Sequence, residues 1–213
     1  MARKHVSFIL HWVKRCRAAG LIMLAALLLP LPAPEAHPHV FIVQRLTLVF
    51  DAEGLAGIKV WWKFDDMFAS MIAEDHDTNR DGRLEAEEVQ SVKENAFAFI
   101  KTYNYFTFIR IDGRPFDVKF VKDFNAVLED NRLVYEFFIP CHVTAITAPK
   151  KLAIVTYDPN YYSAIYFTQK APVSLSAADA YEVKTEVRED PDTSIYYDMV
   201  HPWALFLEFR KRV

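Results

Sequence analysis

The chain has 213 residues, of which 52% are hydrophobic, 15% aromatic and 25% charged, a balance that excludes intrinsic disorder. Only 5 glycines and 2 cysteines exclude collagen-like, knottin-like and zinc-ribbon architectures, and a formal net charge of −3 advertises no basic face for nucleic acid. No run of about 20 apolar residues occurs, so a polytopic membrane protein is excluded too, and the length suits one domain or one domain with an inserted subdomain.

Residues 1–36 read as a secretory signal peptide. Arg3, Lys4, Lys14, Arg15 and Arg17 form a basic head without an acid. Ala18 to Ala33 is a short apolar run broken by Gly20, Pro30 and Pro32. The rival reading is an uncleaved anchor. Cleavage after Ala36 would remove five basic residues and one acid, Glu35, taking the net charge from −3 to −7. The expected product is periplasmic, with no membrane span in its mature form. Cys16 would leave with the signal and Cys141 would stand alone, a buried small hydrophobe. A zinc site of Cys141 with His142 is disfavoured, since strand neighbours face opposite ways.

Val40 to Phe50 alternates, with Leu46, Leu48 and Phe50 on one face, Arg45 and Thr47 on the other. Asp51 to Gly54 is a turn, and Ile58, Val60, Trp62 and Phe64 then line one side, completing a hairpin. From Asp65, a cap residue, the period becomes helical through Met67, Phe68, Met71 and Ile72. It is helical again through Val89, Val92, Ala96, Phe99 and Ile100. Period two returns over Phe106 to Ile111 and Phe116 to Val121, joined by the turn Asp112-Gly113. Leu133 to Ile139 forms another strand, ended by Pro140. Further strands are expected at Lys151 to Thr156, Ser163 to Thr168 and Tyr181 to Val187. Short strands with helices confined to one place predict an α+β fold, a mainly antiparallel β-sandwich over 37–190. A helix–EF-hand loop–helix is inserted at 65–103, and 191–213 is a C-terminal segment. Strand–helix–strand alternation is missing, which argues against a two-lobed solute-binding protein.

Residues 77–88, DTNRDGRLEAEE, match the twelve-residue EF-hand calcium loop. Asp77, Asn79 and Asp81 supply oxygens from positions one, three and five. Gly82 allows the bend at position six, and Arg83 offers its carbonyl. Glu85 occupies position nine, and Glu88 is the twelfth-position carboxylate. Leu84 is the apolar anchor at position eight. Calcium is a hard cation that takes six to eight oxygens, so this density of carboxylates fits it. The bland alternative is a solvated acidic turn. With one loop, and Arg80 and Arg83 diluting its charge, binding is expected at Kd of about 10⁻⁴–10⁻³ M.

His37 and His39, in the run His37-Pro38-His39-Val40-Phe41, would open the processed chain. An amine and imidazoles suit zinc, nickel, cobalt or copper. Pro38 has no N–H, which excludes the standard amino-terminal copper and nickel chelate. The rival reading is that these histidines merely begin the first strand. Tyr157 to Tyr162, with Tyr196 and Tyr197, reads as core and turn material, with a sugar-stacking face as the alternative. No Gly-rich phosphate loop, nucleophile elbow or H-E-x-x-H pair occurs, so a non-enzymatic protein is expected.

The run HPHVF, the stretch WWKFDDMFASMI with its D-x-N-x-D-G loop, and the late YDPNYY together resemble a bacterial family known as a domain of unknown function, number one thousand and seven. The likeness spans most of residues 37–170. Its members are labelled as a periplasmic component of an uncharacterised ABC-type transport system. The resemblance implies handling of nickel, cobalt or zinc beside a membrane metal permease. The expected function is an exported calcium-binding accessory of divalent transition-metal transport. The rivals are a structural or adhesive calcium-clipped sandwich that binds a protein partner, and a histidine-brace copper enzyme.

Overall fold

A computed structural model describes residues 38–212. The signal peptide expected at 1–36, and His37, lie outside the described residues. Among the described residues no helix is long and apolar enough to cross a membrane.

Eleven strands form two sheets. The first contains β1 (Val40–Phe50), β2 (Gly54–Phe64), β5 (Lys122–Glu129), β6 (Arg132–Thr144), β8 (Ser163–Phe167) and β9 (Val173–Ser176) in the order β5-β6-β2-β1-β8, with β9 also on β1. The second runs β10 (Tyr181–Glu189), β11 (Trp203–Lys211), β7 (Lys150–Thr156), β3 (Thr107–Ile111), β4 (Arg114–Phe116). The second sheet is antiparallel throughout. The first departs from that pattern along β1, whose two halves pair in parallel with β8 and then β9. The β-rich α+β expectation with two sheets therefore holds, with a parallel seam that the alternation along β1 does not announce.

Hydrophobic alternation builds both sheets. Along β1 every second side chain from Val40 to Phe50 is buried, and Leu46, Leu48, Ile109, Leu205 and Phe209 join one core from both sheets. Gln44 is the polar member of the β1 inner row and is fully buried. It donates to the Thr156 hydroxyl on the second sheet, and its carbonyl accepts the Trp62 indole N–H at 3.4 Å. A buried amide is tolerable because both ends are paired.

Four boundaries differ from the sequence reading. β4 stops at Phe116, the chain to Val121 is irregular, and β5 follows where no strand was expected. β5 is an edge strand that buries only Ala126 and Leu128, so its period is faint. Pro140 does not end β6, which runs on to Thr144. It pairs with Gly57 where the β2–β6 register shifts, and a bulge is where a sheet accepts a proline. Gly57 is needed there, because a Cβ would meet the Ile139 carbonyl oxygen at 2.4 Å. Finally, the chain beyond 190 is no appendage. β11 lies between β10 and β7, with Leu205, Leu207 and Phe209 buried at period two.

Between β2 and β3 the chain makes a helical excursion. Helix α1 (Asp66–His76) is capped by Asp65, whose Oδ1 accepts the N–H of Met67 and Phe68 at 2.9 and 3.0 Å. Its Oδ2 accepts the Phe41 N–H, fixing the helix start to β1. Helix α2 (Ala86–Val92) is followed by a π-helical turn at Lys93–Phe97 and a 3₁₀ stretch at Ala98–Phe106. The uniform helical period through Ile100 hides these changes of winding. Asn104, Tyr105 and Phe106 all have φ near +50°, a conformation that disfavours residues bearing a Cβ.

Candidate functional site

Residues 77–88 join α1 to α2, and their order comes from carboxylates and amides that accept main-chain N–H groups. Asp77 ends α1, its own N–H bonded to the Ala73 carbonyl. Its Oδ1 and Oδ2 accept from Asp81 and Gly82 at 3.2 and 2.9 Å. Asn79 Oδ1 accepts the same Asp81 N–H at 2.9 Å, and Asp81 Oδ1 accepts from Arg83. Gly82 has φ +81°, the left-handed bend expected at position six. Leu84 is half-buried and packs against the core.

The exit side is tied differently. Glu85 caps α2 and forms a capping box with Glu88. Glu88 Oε2 accepts the Glu85 N–H at 3.1 Å, while Oε1 accepts both the N–H and the hydroxyl of Thr78 at 2.7 Å. The Asn79 amide donates to Glu85 at 3.3 Å. The Asn79–Glu85 bond thus joins the group of Asp77, Asn79 and Asp81 to that of Thr78, Glu85 and Glu88. The Arg83 side chain is exposed and contributes none of these bonds. Among the described residues no three His, Cys, Asp or Glu side chains stand grouped as a metal site.

Titration follows the same geometry. Hydrogen bonding to the Glu88 carboxylate raises the Glu85 carboxyl above its ordinary value. Its partner Glu88 is held down to about 2, by that bond first and by the Thr78 hydroxyl next. One carboxylate of the pair therefore stays ionised far into acid while the other gains a proton more readily.

The histidine expectations meet only partly described ground. His39 sits just before β1, donates its main-chain N–H to the Tyr162 carbonyl at 2.8 Å, and places its ring 5.0 Å from that of Tyr162. His37 lies outside the described residues. Cys141 is buried, and burial pushes its thiol up to about 12, so it is an unreactive packing group. His142 is exposed on the other face, which separates it from Cys141. Asp158 makes a tight turn, accepting the N–H of Asn160 and Ser163, as a turn reading of YDPNYY requires.

One feature lies outside the sequence reading. A cavity of about 660 Å³ opens between the first sheet and the helical excursion. Its aromatic lining looks like ordinary core in the sequence, because a cavity wall and a packed core share the same hydrophobic period.

The fold and the acidic connection define a β-rich α+β protein with a helix–loop–helix between its second and third strands. The family described as "Protein of unknown function (DUF1007)" matches residues 21–199, and the chain belongs to that family. An uncharacterized 15.5 kDa protein in the trpE 3′ region of Spirochaeta aurantia is 29% identical over 133 residues, covering 62% of this chain and 94% of the relative. An uncharacterized protein of Haemophilus influenzae is 27% identical over 150 residues, covering 67% of this chain and 68% of the relative.

Proposed function

We propose that this chain is an exported calcium-binding protein that serves as an accessory to divalent transition-metal transport. The observation that carries the calcium reading is the loop itself. Asp77, Asn79 and Asp81 at spacing two, Gly82 at φ +81° and Glu88 five residues after Arg83 give an oxygen-only donor set. Such a set suits a hard cation and is poorly suited to copper or nickel. Asp77, Asn79, Asp81, Glu85 and Glu88 would hold calcium through side-chain oxygens, and Arg83 through its carbonyl. The ion would supply the positive charge that lets these carboxylates converge.

The transport reading rests on family resemblance and on His37 and His39 at the start of the processed chain. Imidazole there would bind zinc, nickel or cobalt near the mouth of a membrane permease. Export rests on the basic head and short apolar run of residues 1–36.

Calcium titration with and without a chelator tests the central claim. The melting temperature should rise with calcium in the wild type and barely move in Glu88→Gln. An unchanged wild-type melting temperature ends the calcium reading. Amino-terminal sequencing of the natively produced protein should begin near His37. Zinc or nickel affinity should be lost in a His37→Ala, His39→Ala double variant and should weaken below about pH 6.5, where free imidazole protonates.

A further inference from the structure

Protein interiors are close-packed, and an empty space of about 660 Å³ is much larger than a packing defect. It falls within the range of about 300–1,000 Å³ typical of small-molecule sites. One wall comes from β1, β2 and β6, through Ile42, Trp62 and Tyr135 among others. The other comes from the helical excursion, through Phe97, Phe99 and Phe106. The turn at Asp158–Ser163 closes one side.

Two independent features meet at this cavity. One is the π-helical turn at Lys93–Phe97, which contributes Ala96 and Phe97 to the wall. Turns of this kind recur at functional sites. The other is the left-handed run Asn104–Phe106, whose last residue also lines the space. Unfavourable backbone persists where a site requires it.

We propose that this cavity binds a neutral, mainly apolar or aromatic small molecule. Charge selects the class. The lining described contains one ionisable acid, Asp158, and no lysine, arginine or histidine. Asp158 is 4% exposed, and its two oxygens already accept the N–H groups of Asn160 and Ser163. An anionic ligand would enter beside a carboxylate with no cation to meet it, at a high desolvation cost. Aromatic faces welcome a flat apolar body. The site is separate from residues 77–88, so it stands or falls without the calcium reading.

The test uses the full chain and the neutral fluorophore N-phenyl-1-naphthylamine, in chelator, followed by displacement with two related compounds. Saturable fluorescence should appear, and 2-naphthol should displace it. The anion 2-naphthoate should be weaker by at least about tenfold. Phe99 lines the cavity yet is 64% exposed, so Phe99→Glu adds a charge at its mouth without disturbing the core. That variant should keep the wild-type melting temperature and lose fluorophore affinity by about tenfold. Absence of saturable binding would overturn the proposal. So would equal binding of 2-naphthoate or undiminished binding in Phe99→Glu.

Discussion

The two-sheet body and the helical excursion at residues 65–106 are held together by different means. In the body, alternate side chains from both sheets fill one core, and two of its buried polar groups are paired over long stretches of sequence. Gln44 reaches Thr156, and Arg110 reaches Asp190. In the excursion the bonds that order the start of the acidic loop are local, linking side-chain oxygens to N–H groups a few residues away. Its backbone passes through π and 3₁₀ winding, and Met67, Met71 and Phe99 remain exposed. The body should therefore respond to lost volume, and the excursion to cations and protons.

The sharpest contrast comes from phenylalanine. Phe137 is 1% exposed and packs edge-on to Trp62 at 4.9 Å between centroids. Phe137→Ala should cost about 4 kcal/mol, as removal of a buried aromatic does. Phe99→Ala in the excursion should cost less than about 0.5 kcal/mol, since most of that ring is in water. Urea unfolding of the two variants measures both, and comparable losses would erase the distinction between the regions.

Next in size is the ion pair that closes the second sheet. Asp190 is fully buried, and both its oxygens accept from one guanidinium nitrogen of Arg110, at 2.9 and 3.0 Å. The Thr193 hydroxyl donates to it as well. Burial pushes its carboxyl up, but Arg110 and Thr193 outweigh that and hold it below its ordinary value. Asp190→Ala leaves the partly buried Arg110 with only the Asp192 carboxylate at 3.8 Å and the Thr193 hydroxyl at 3.4 Å, and should cost about 3 kcal/mol, the lower end for a broken buried pair because Arg110 keeps these contacts and still reaches water. The folded-state value is depressed, so the pair's contribution is complete above the ordinary value of 3.8 and fades as pH falls below it. A variant whose deficit persists unchanged in acid would show that the lost stability came from packing instead.

The excursion answers to cations. Binding to the native state alone adds RT ln(1 + [Ca]/Kd), about 2.7 kcal/mol at 100 times Kd. Hydrogen exchange should slow within residues 66–106 and stay unchanged in β7 and β11. Uniform slowing across the chain would make the two regions one cooperative unit.

This division also explains what could be read in the sequence. β1 and β2 were legible because they show period two, and β7 because Leu152–Thr156 is a short apolar run buried on both faces. The Asp65 cap was legible because it precedes a change of period. Edge strand β5, with two buried side chains, carried too little pattern, and β11 was passed over although Leu205, Leu207 and Phe209 alternate cleanly. The acidic loop announced its spacing, yet nothing in it told that Glu88 would bond Thr78 and Glu85. Those contacts depend on how α2 begins. The cavity left no trace, because Trp62, Phe97 and Phe106 would occupy the same registers in a filled core. Parallel pairing of β8 and β9 with β1 depends on the path of the connecting chain, which no local period encodes.

The smallest effect concerns the hydroxyl that ties the two ends of the loop. Thr78 Oγ1 donates to Glu88 Oε1 at 2.7 Å. The Glu88 carboxyl lies near 2 in place of its ordinary 4.5, through its bond with Glu85 first and through Thr78 second. Because this folded-state value is depressed, the associated stability is full above pH 4.5 and disappears as pH falls through about 2. Thr78→Val removes the hydroxyl, keeps the shape and leaves the Thr78 N–H in place. Glu88 should then titrate at a higher pH than in the wild type. The variant should melt slightly lower near neutrality, and the two proteins should converge as pH approaches 2, where a protonated Glu88 no longer rewards the hydroxyl. Melting curves across that range in chelator read the effect without calcium. A difference that stays constant with pH would place the role of Thr78 in backbone geometry, not in the charge of Glu88. The excursion would then resemble the body more closely than its hydrogen bonds suggest.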